Sequence, residues 1–138
     1  MSGDLPPALS ELVIELETRG FSVVADRGDD AIGYRVLELA NPSRETASEI
    51  RLEQDRGLWS VRVKVADKWR DPYQVLLALD ESDYATRASS HDERRRFTLS
   101  VLDRLPASSS ELAPVIARLD EFHRTYWQRY EADDPGSG

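Results

Sequence analysis

The chain contains no cysteine, and among its 138 residues it has only two histidines, two lysines and seven glycines. Without cysteine there can be no disulfide, no thiolate nucleophile and no thiolate metal site. The histidines, His91 and His123, stand far apart in sequence, and neither has a second histidine three or four residues away, so no helical metal-ligand pair forms. The glycines are scattered and make no phosphate-cradling loop, and Gly-x-Ser-x-Gly is absent. Serines abound, but nothing marks one as a nucleophile. No apolar run approaches the roughly 20 residues needed to cross a bilayer. The opening MSGDLPP lacks the basic-then-apolar order of a secretory leader, so a cytoplasmic protein is expected, with no membrane partner.

Positive charge is also in deficit. Eighteen basic residues face 26 acidic ones, a net charge of −8. Phosphate contacts need clustered cations, and the one cluster, Arg94-Arg95-Arg96, directly follows Asp92-Glu93, so no nucleic-acid partner is expected. An acidic surface is steered towards basic partners and aids solubility. The excess of arginine over lysine is the composition of GC-rich coding. Hydrophobic content of 40% with 32% charge belongs to a folded soluble domain. At this length one core is expected, giving a single domain over 1–131 and a disordered polar tail over 132–138.

What is present alternates between helix and strand patterns. Leu5, Leu9, Leu12, Val13 and Leu16 share one helical face, with Pro6 and Pro7 suited to a first turn and Gly20 to a stop, which predicts a helix over about 5–19. FSVVAD at 21–26 and YRVLEL at 34–39 read as strands. Ile50 and Leu52, then Trp59, Val61, Val63 and Val65, alternate with polar residues about the Asp55-Arg56-Gly57 turn, the pattern of a half-buried hairpin with Arg62 and Lys64 on its wet face. Asp71-Pro72 starts a short helix over 72–80. Phe97, Leu99 and Val101 alternate, which predicts a strand over 95–102, paired with a weaker one at 84–88. The rival is a helix capped by Ser90 with Glu93. Ser108 with Glu111 opens a last helix over about 109–131, whose apolar stripe is Leu112, Val115, Ile116, Leu119, Phe122, Tyr126 and Tyr130. The expected fold is α+β. An antiparallel sheet of five or six strands is packed by the N-terminal and long C-terminal helices, with a short helix between.

No cooperative set of reactive side chains emerges, so no catalytic, cofactor or metal residue is assigned. DRGDD at 26–30 lacks the calcium-loop spacing and reads as a solvated turn, and DESD at 80–83 as a helix end. The aromatics are the candidate binding residues. Trp59 belongs to the core. Trp69, flanked by Lys68 and Arg70, and the cluster Tyr126, Trp127 and Tyr130 on the last helix are candidate partner-binding residues, since exposed tryptophan and tyrosine are enriched at interface hot spots.

The order helix, strands, short helix, strands, long helix resembles the type III secretion chaperone-like fold, and FTLSVLDRLPASSSELAPVIARLDEFHRTYW resembles the last strand and helix of that family. The chain carries one further strand before the middle helix. Its size and acidity also look like the small acidic immunity proteins of bacterial toxin systems. Both resemblances imply a non-catalytic binder of one cognate bacterial protein, a secreted client or a toxin, and the chaperone likeness implies a homodimer. Two other classes stay open. One is a small-ligand protein or enzyme with a pocket between the sheet and the last helix, using Tyr34, His123 and Tyr126. The other is a mimic of nucleic acid that uses the carboxylate turns.

Overall fold

The computed structural model describes residues 5–79 and 88–132, and of these the side chains at 123 and 125–132 are not described. Helix α1 (Pro7–Thr18) leads into five strands: β1 (Ser22–Asp29), β2 (Tyr34–Ala40), β3 (Glu49–Asp55), β4 (Leu58–Val65) and β5 (Lys68–Arg70). Three helices follow, α2 (Pro72–Ala78), α3 (His91–Arg104) and α4 (Ala113–Ala132). The strands form one antiparallel meander in the order β1-β2-β3-β4-β5. This is the α+β fold expected, with five strands and the terminal helices packed on the sheet.

Local chemistry explains the element ends. Pro7 begins α1, where a missing N–H costs nothing. Gly20, at φ +99°, ends it in a Schellman arrangement. Phe21 N–H donates to Leu16 O, Gly20 N–H donates to Glu17 O, and the Phe21 and Leu16 side chains are both buried. Asp71 caps α2 by accepting from Tyr73 N–H, with Pro72 behind it. The strand expected to end at Asp26 runs on to Asp29, because Arg27, Gly28 and Asp29 keep pairing with Val36, Arg35 and Tyr34.

Two expectations fail for physical reasons. Residues 95–102 are not a strand. They lie within α3, whose first turn is fixed by Ser90 accepting from Glu93 N–H and by Asp92 and Glu93 at the positive end of the helix. Phe97, Thr98, Val101 and Leu102 are buried at helical spacing, and half-buried Leu99 produced the misleading alternation. The companion strand at 84–88 lies almost wholly outside the described residues. The last helix begins at Ala113 rather than 109, because a helix begun at 109 would need a Pro114 N–H to donate to the carbonyl four residues back, and proline has none and is tolerated only within a first turn. Ser108 instead caps a short 3-10 turn over Ser109–Glu111. His91 opens α3.

All the helices lie on one side of the sheet. Leu37, Leu52 and Val61 form one cross-strand row, and Leu39, Ile50 and Val63 the next. These rows pack with Leu9, Leu12 and Leu16 of α1, Val75 and Leu76 of α2, Phe97 and Val101 of α3, Leu112 just before α4, and Val115 and Leu119 of α4 in one core. Within the helical layer α3 packs against α1 and α2, and α2 against α4. Arg70 on β5 donates to Asp120 on α4 at 2.8 Å, and Arg118 of α4 donates to Ala78 O at 2.7 Å, which ties the last helix to β5 and to α2. The β2–β3 loop is pinned by Asn41 to Arg19 O and by Thr46 to Pro106 O, so its buried polar groups are satisfied.

Two substitutions test this description. Ser90→Ala should destabilise the protein by about 1 kcal/mol through loss of the α3 cap, measured by chemical denaturation. No loss would return 95–102 to a strand. Ala66 and Asp67 turn the β4–β5 hairpin with φ of 49° and 66°. A non-glycine residue there strains against its own Cβ. Ala66→Asn should therefore raise the unfolding midpoint, by roughly 0.5–1 kcal/mol of stability, since asparagine suits a left-handed hairpin turn. An unchanged or lower midpoint would contradict the turn geometry.

Candidate functional site

The second face of the sheet carries no helix among the described residues. Its residues follow from the register. Ala25, Glu38, Arg51 and Arg62 form one row, Arg27, Val36, Glu53 and Ser60 the row beside it, and Lys64 pairs with Trp69. Strand alternation alone makes this face polar, because every second residue of β3 and β4 was spent on the core.

These side chains join into a chain that crosses all five strands. Arg27 of β1 lies 3.2 Å from Glu38 of β2, and the same carboxylate oxygen accepts from Arg51 of β3 at 2.9 Å. The Arg51 guanidinium stacks over the Trp69 ring on β5 with its carbon 4.4 Å from the centroid. Lys64 of β4 approaches the same ring at 5.7 Å and pairs with Glu49 at 3.0 Å. Trp69 is half-buried, an indole platform with two cations against it. Val36 lies on this face by register yet is 1% exposed.

Arg62 stands apart from this network. It lies directly opposite Arg51, a like-charge cross-strand pair, and has no ionic partner among the described residues. Arg94 of α3 is half-buried and likewise has no carboxylate partner among them. Its Nη1 donates to His91 Nδ1 at 3.0 Å. Burial, and then the Arg94 charge, hold the His91 pKa below its usual value. Of the preceding acidic pair, Asp92 faces Arg95 and Arg96, and Arg95 is offset further by Glu11 and Glu15 of α1.

The expected binding residues divide between the two sides of the molecule. Trp69 lies on the helix-free face. Tyr126, Trp127 and Tyr130 fall on α4, whose start packs into the helical layer on the opposite side of the sheet, and their side chains lie outside the description, as does that of His123. Between the sheet and the start of α4 there is a depression of about 280 Å³, walled by Glu45, Glu49, Lys64, Asp67 and Ser109. Tyr34 does not line it. Among the described residues no group of three histidine, cysteine or carboxylate residues could hold a metal ion, and no helix is long and apolar enough to cross a membrane. Sequence reading missed Glu38, the centre of the network, because a glutamate alternating in a strand carries no mark of what it faces.

The lowered His91 pKa has a definite sign. Above the usual value of 6.5 both folded and unfolded imidazoles are neutral. As pH falls below it, the unfolded chain takes up the proton first, so stability drops with falling pH across the window just below the usual value. His91→Gln should flatten that part of the stability–pH curve, measured by denaturation at a series of pH values. An unaltered slope would show that the imidazole is not shielded as described.

Compared with protein-family models, with curated proteins and with solved structures, the chain matches none of them.

Proposed function

We propose that the protein is a non-catalytic binding module of chaperone or immunity type, which sequesters one cognate bacterial protein through the helix-free face of its sheet. The observation that carries this reading is the Trp69 platform. A half-exposed indole is held rigid by Arg51 and Lys64 at the end of a charge network, on a face that no helix covers among the described residues. Tryptophan and arginine are the side chains most enriched at energetic hot spots, and a pre-ordered anchor loses little entropy on binding.

The network also says what kind of partner fits. In the two rows nearest Trp69, Arg51, Arg62 and Lys64 face Glu38 and Glu49, a small local excess of positive charge on a chain whose net charge is −8, while Asp29, Glu53 and Asp55 lie towards the other end of the same face. The partner surface that complements it is an apolar or aromatic centre with acidic groups around it, one of which meets Arg62. The rest of the molecule, being acidic, repels acidic surfaces elsewhere and so favours this one orientation.

The test is a partner captured from native lysate, purified and titrated against two forms of the protein. Trp69→Ala should lower affinity by about 2 kcal/mol or more while costing less than about 1 kcal/mol of folding stability. Full affinity in the variant would remove Trp69 from the interface. Loss of folding would make it a structural cap on the sheet.

A further inference from the structure

Beside β4 lies a cleft of about 200 Å³ whose chemistry is distinct from that of the Trp69 platform. Strand β5 pairs only with Val63, Lys64 and Val65, so β4 from Leu58 to Arg62 has no strand neighbour on that side among the described residues. The space there is bounded by Ser60 and Arg62 of β4, by Arg94 and Phe97 of α3, and by Asp71 and Pro72 at the start of α2.

Two cations in this cleft are unmatched. Arg62 has no ionic partner among the described residues and sits opposite a second arginine. Arg94 is half-buried, has no carboxylate partner among them, and spends one N–H on a neutral imidazole nitrogen. Guanidinium groups left in this state keep most of their donors available, and their planar fork matches a carboxylate. Ser60 adds a hydroxyl. Pro72 and Phe97 supply an apolar wall, both with little exposure. The Asp71 carboxylate also borders the cleft, where it accepts from Tyr73 N–H. It disfavours a doubly charged guest such as phosphate and leaves room for one negative charge. The volume is below the roughly 300–1,000 Å³ of pockets for drug-sized ligands, so the guest is one compact group.

We infer that this cleft binds a carboxylate carried on a small apolar body, with Arg62 and Arg94 as its ligands and Phe97 against its apolar part. The inference stands without the partner reading above, because the guest has two sources of the same chemistry: a free organic acid or the carboxylate end of a peptide chain.

The test uses the full chain, isotope-labelled, titrated with benzoate and with its neutral isostere benzamide. Benzoate should bind saturably with a dissociation constant of about 1 mM or below, moving the amides of residues 60–62 and 91–94 and the His91 ring signals. Benzamide should bind at least about tenfold more weakly, and Arg62→Gln and Arg94→Gln should each weaken benzoate by roughly tenfold or more, the scale of one charged hydrogen bond. Should Arg94→Gln fail to fold, the benzamide comparison and the exposed Arg62→Gln variant decide alone. A peptide ending in a free phenylalanine carboxylate, compared with its amide, names the source. Tighter binding than benzoate, lost on amidation, assigns a chain end, and weaker binding assigns a free acid. The inference is overturned if benzoate causes no saturable change, if benzamide binds equally well, or if neither substitution weakens binding.

Discussion

One-sided burial is the constraint from which the rest of the structure follows. A five-stranded meander has two faces, and α1, α2, α3 and α4 all pack on the same one. Burial of Leu37, Leu39, Ile50, Leu52, Val61 and Val63 beneath them supplies the dominant stabilisation, each side chain contributing about 1.5–3 kcal/mol relative to full exposure. Because side chains alternate, that choice commits Glu38, Arg51, Arg62 and Lys64 to the opposite face. A polar sheet face needs no cover, and here it is ordered by its own cross-strand pairs.

The energetics of that face favour recognition over stability. Ion pairs open to solvent are worth about 0–1 kcal/mol each, so Arg27–Glu38 and Glu49–Lys64 add little to folding, while Arg51–Glu38 is partly buried. Their effect is positional. Glu38 holds Arg51 over the Trp69 ring, and Lys64 closes the other approach to the same indole. The platform is thus in place before any partner arrives. Arg62, opposed by Arg51 and unmatched by any carboxylate among the described residues, lies where this face meets the cleft beside β4, so one residue borders both candidate binding surfaces.

Much of the scaffold was legible in the sequence because local rules and tertiary packing agreed. Pro7 and Gly20 bracket α1, Asp71-Pro72 starts α2, and the alternation from Ile50 to Val65 places its apolar residues on the core face. Where they disagreed, alternation misled. Residues 97–101 satisfy a two-residue period, but the Ser90–Glu93 start signal and the burial of Phe97, Thr98, Val101 and Leu102 belong to a helix. With that change the element order becomes helix, five strands and three described helices, and no described strand follows the middle helix. The binding surfaces were harder to read. Trp69 drew notice from its charged neighbours Lys68 and Arg70, yet Arg70 turns inward to Asp120, and the cation on the indole is Arg51, which strand register alone brings there. The cleft joins Arg62 from a hairpin with Arg94 from a helix, and no spacing in the sequence announces that meeting.

The indole N–H signals give the most direct measurement of the central claim, that contact is made through the helix-free face. The chain has three tryptophans, Trp59, Trp69 and Trp127, so one nitrogen–proton spectrum reports the core, the open face and the last helix separately. On addition of the partner, the Trp69 signal should shift or broaden while that of buried Trp59 stays in place. A shift confined to Trp127, with Trp69 unmoved, would place the contact on α4 and contradict the account.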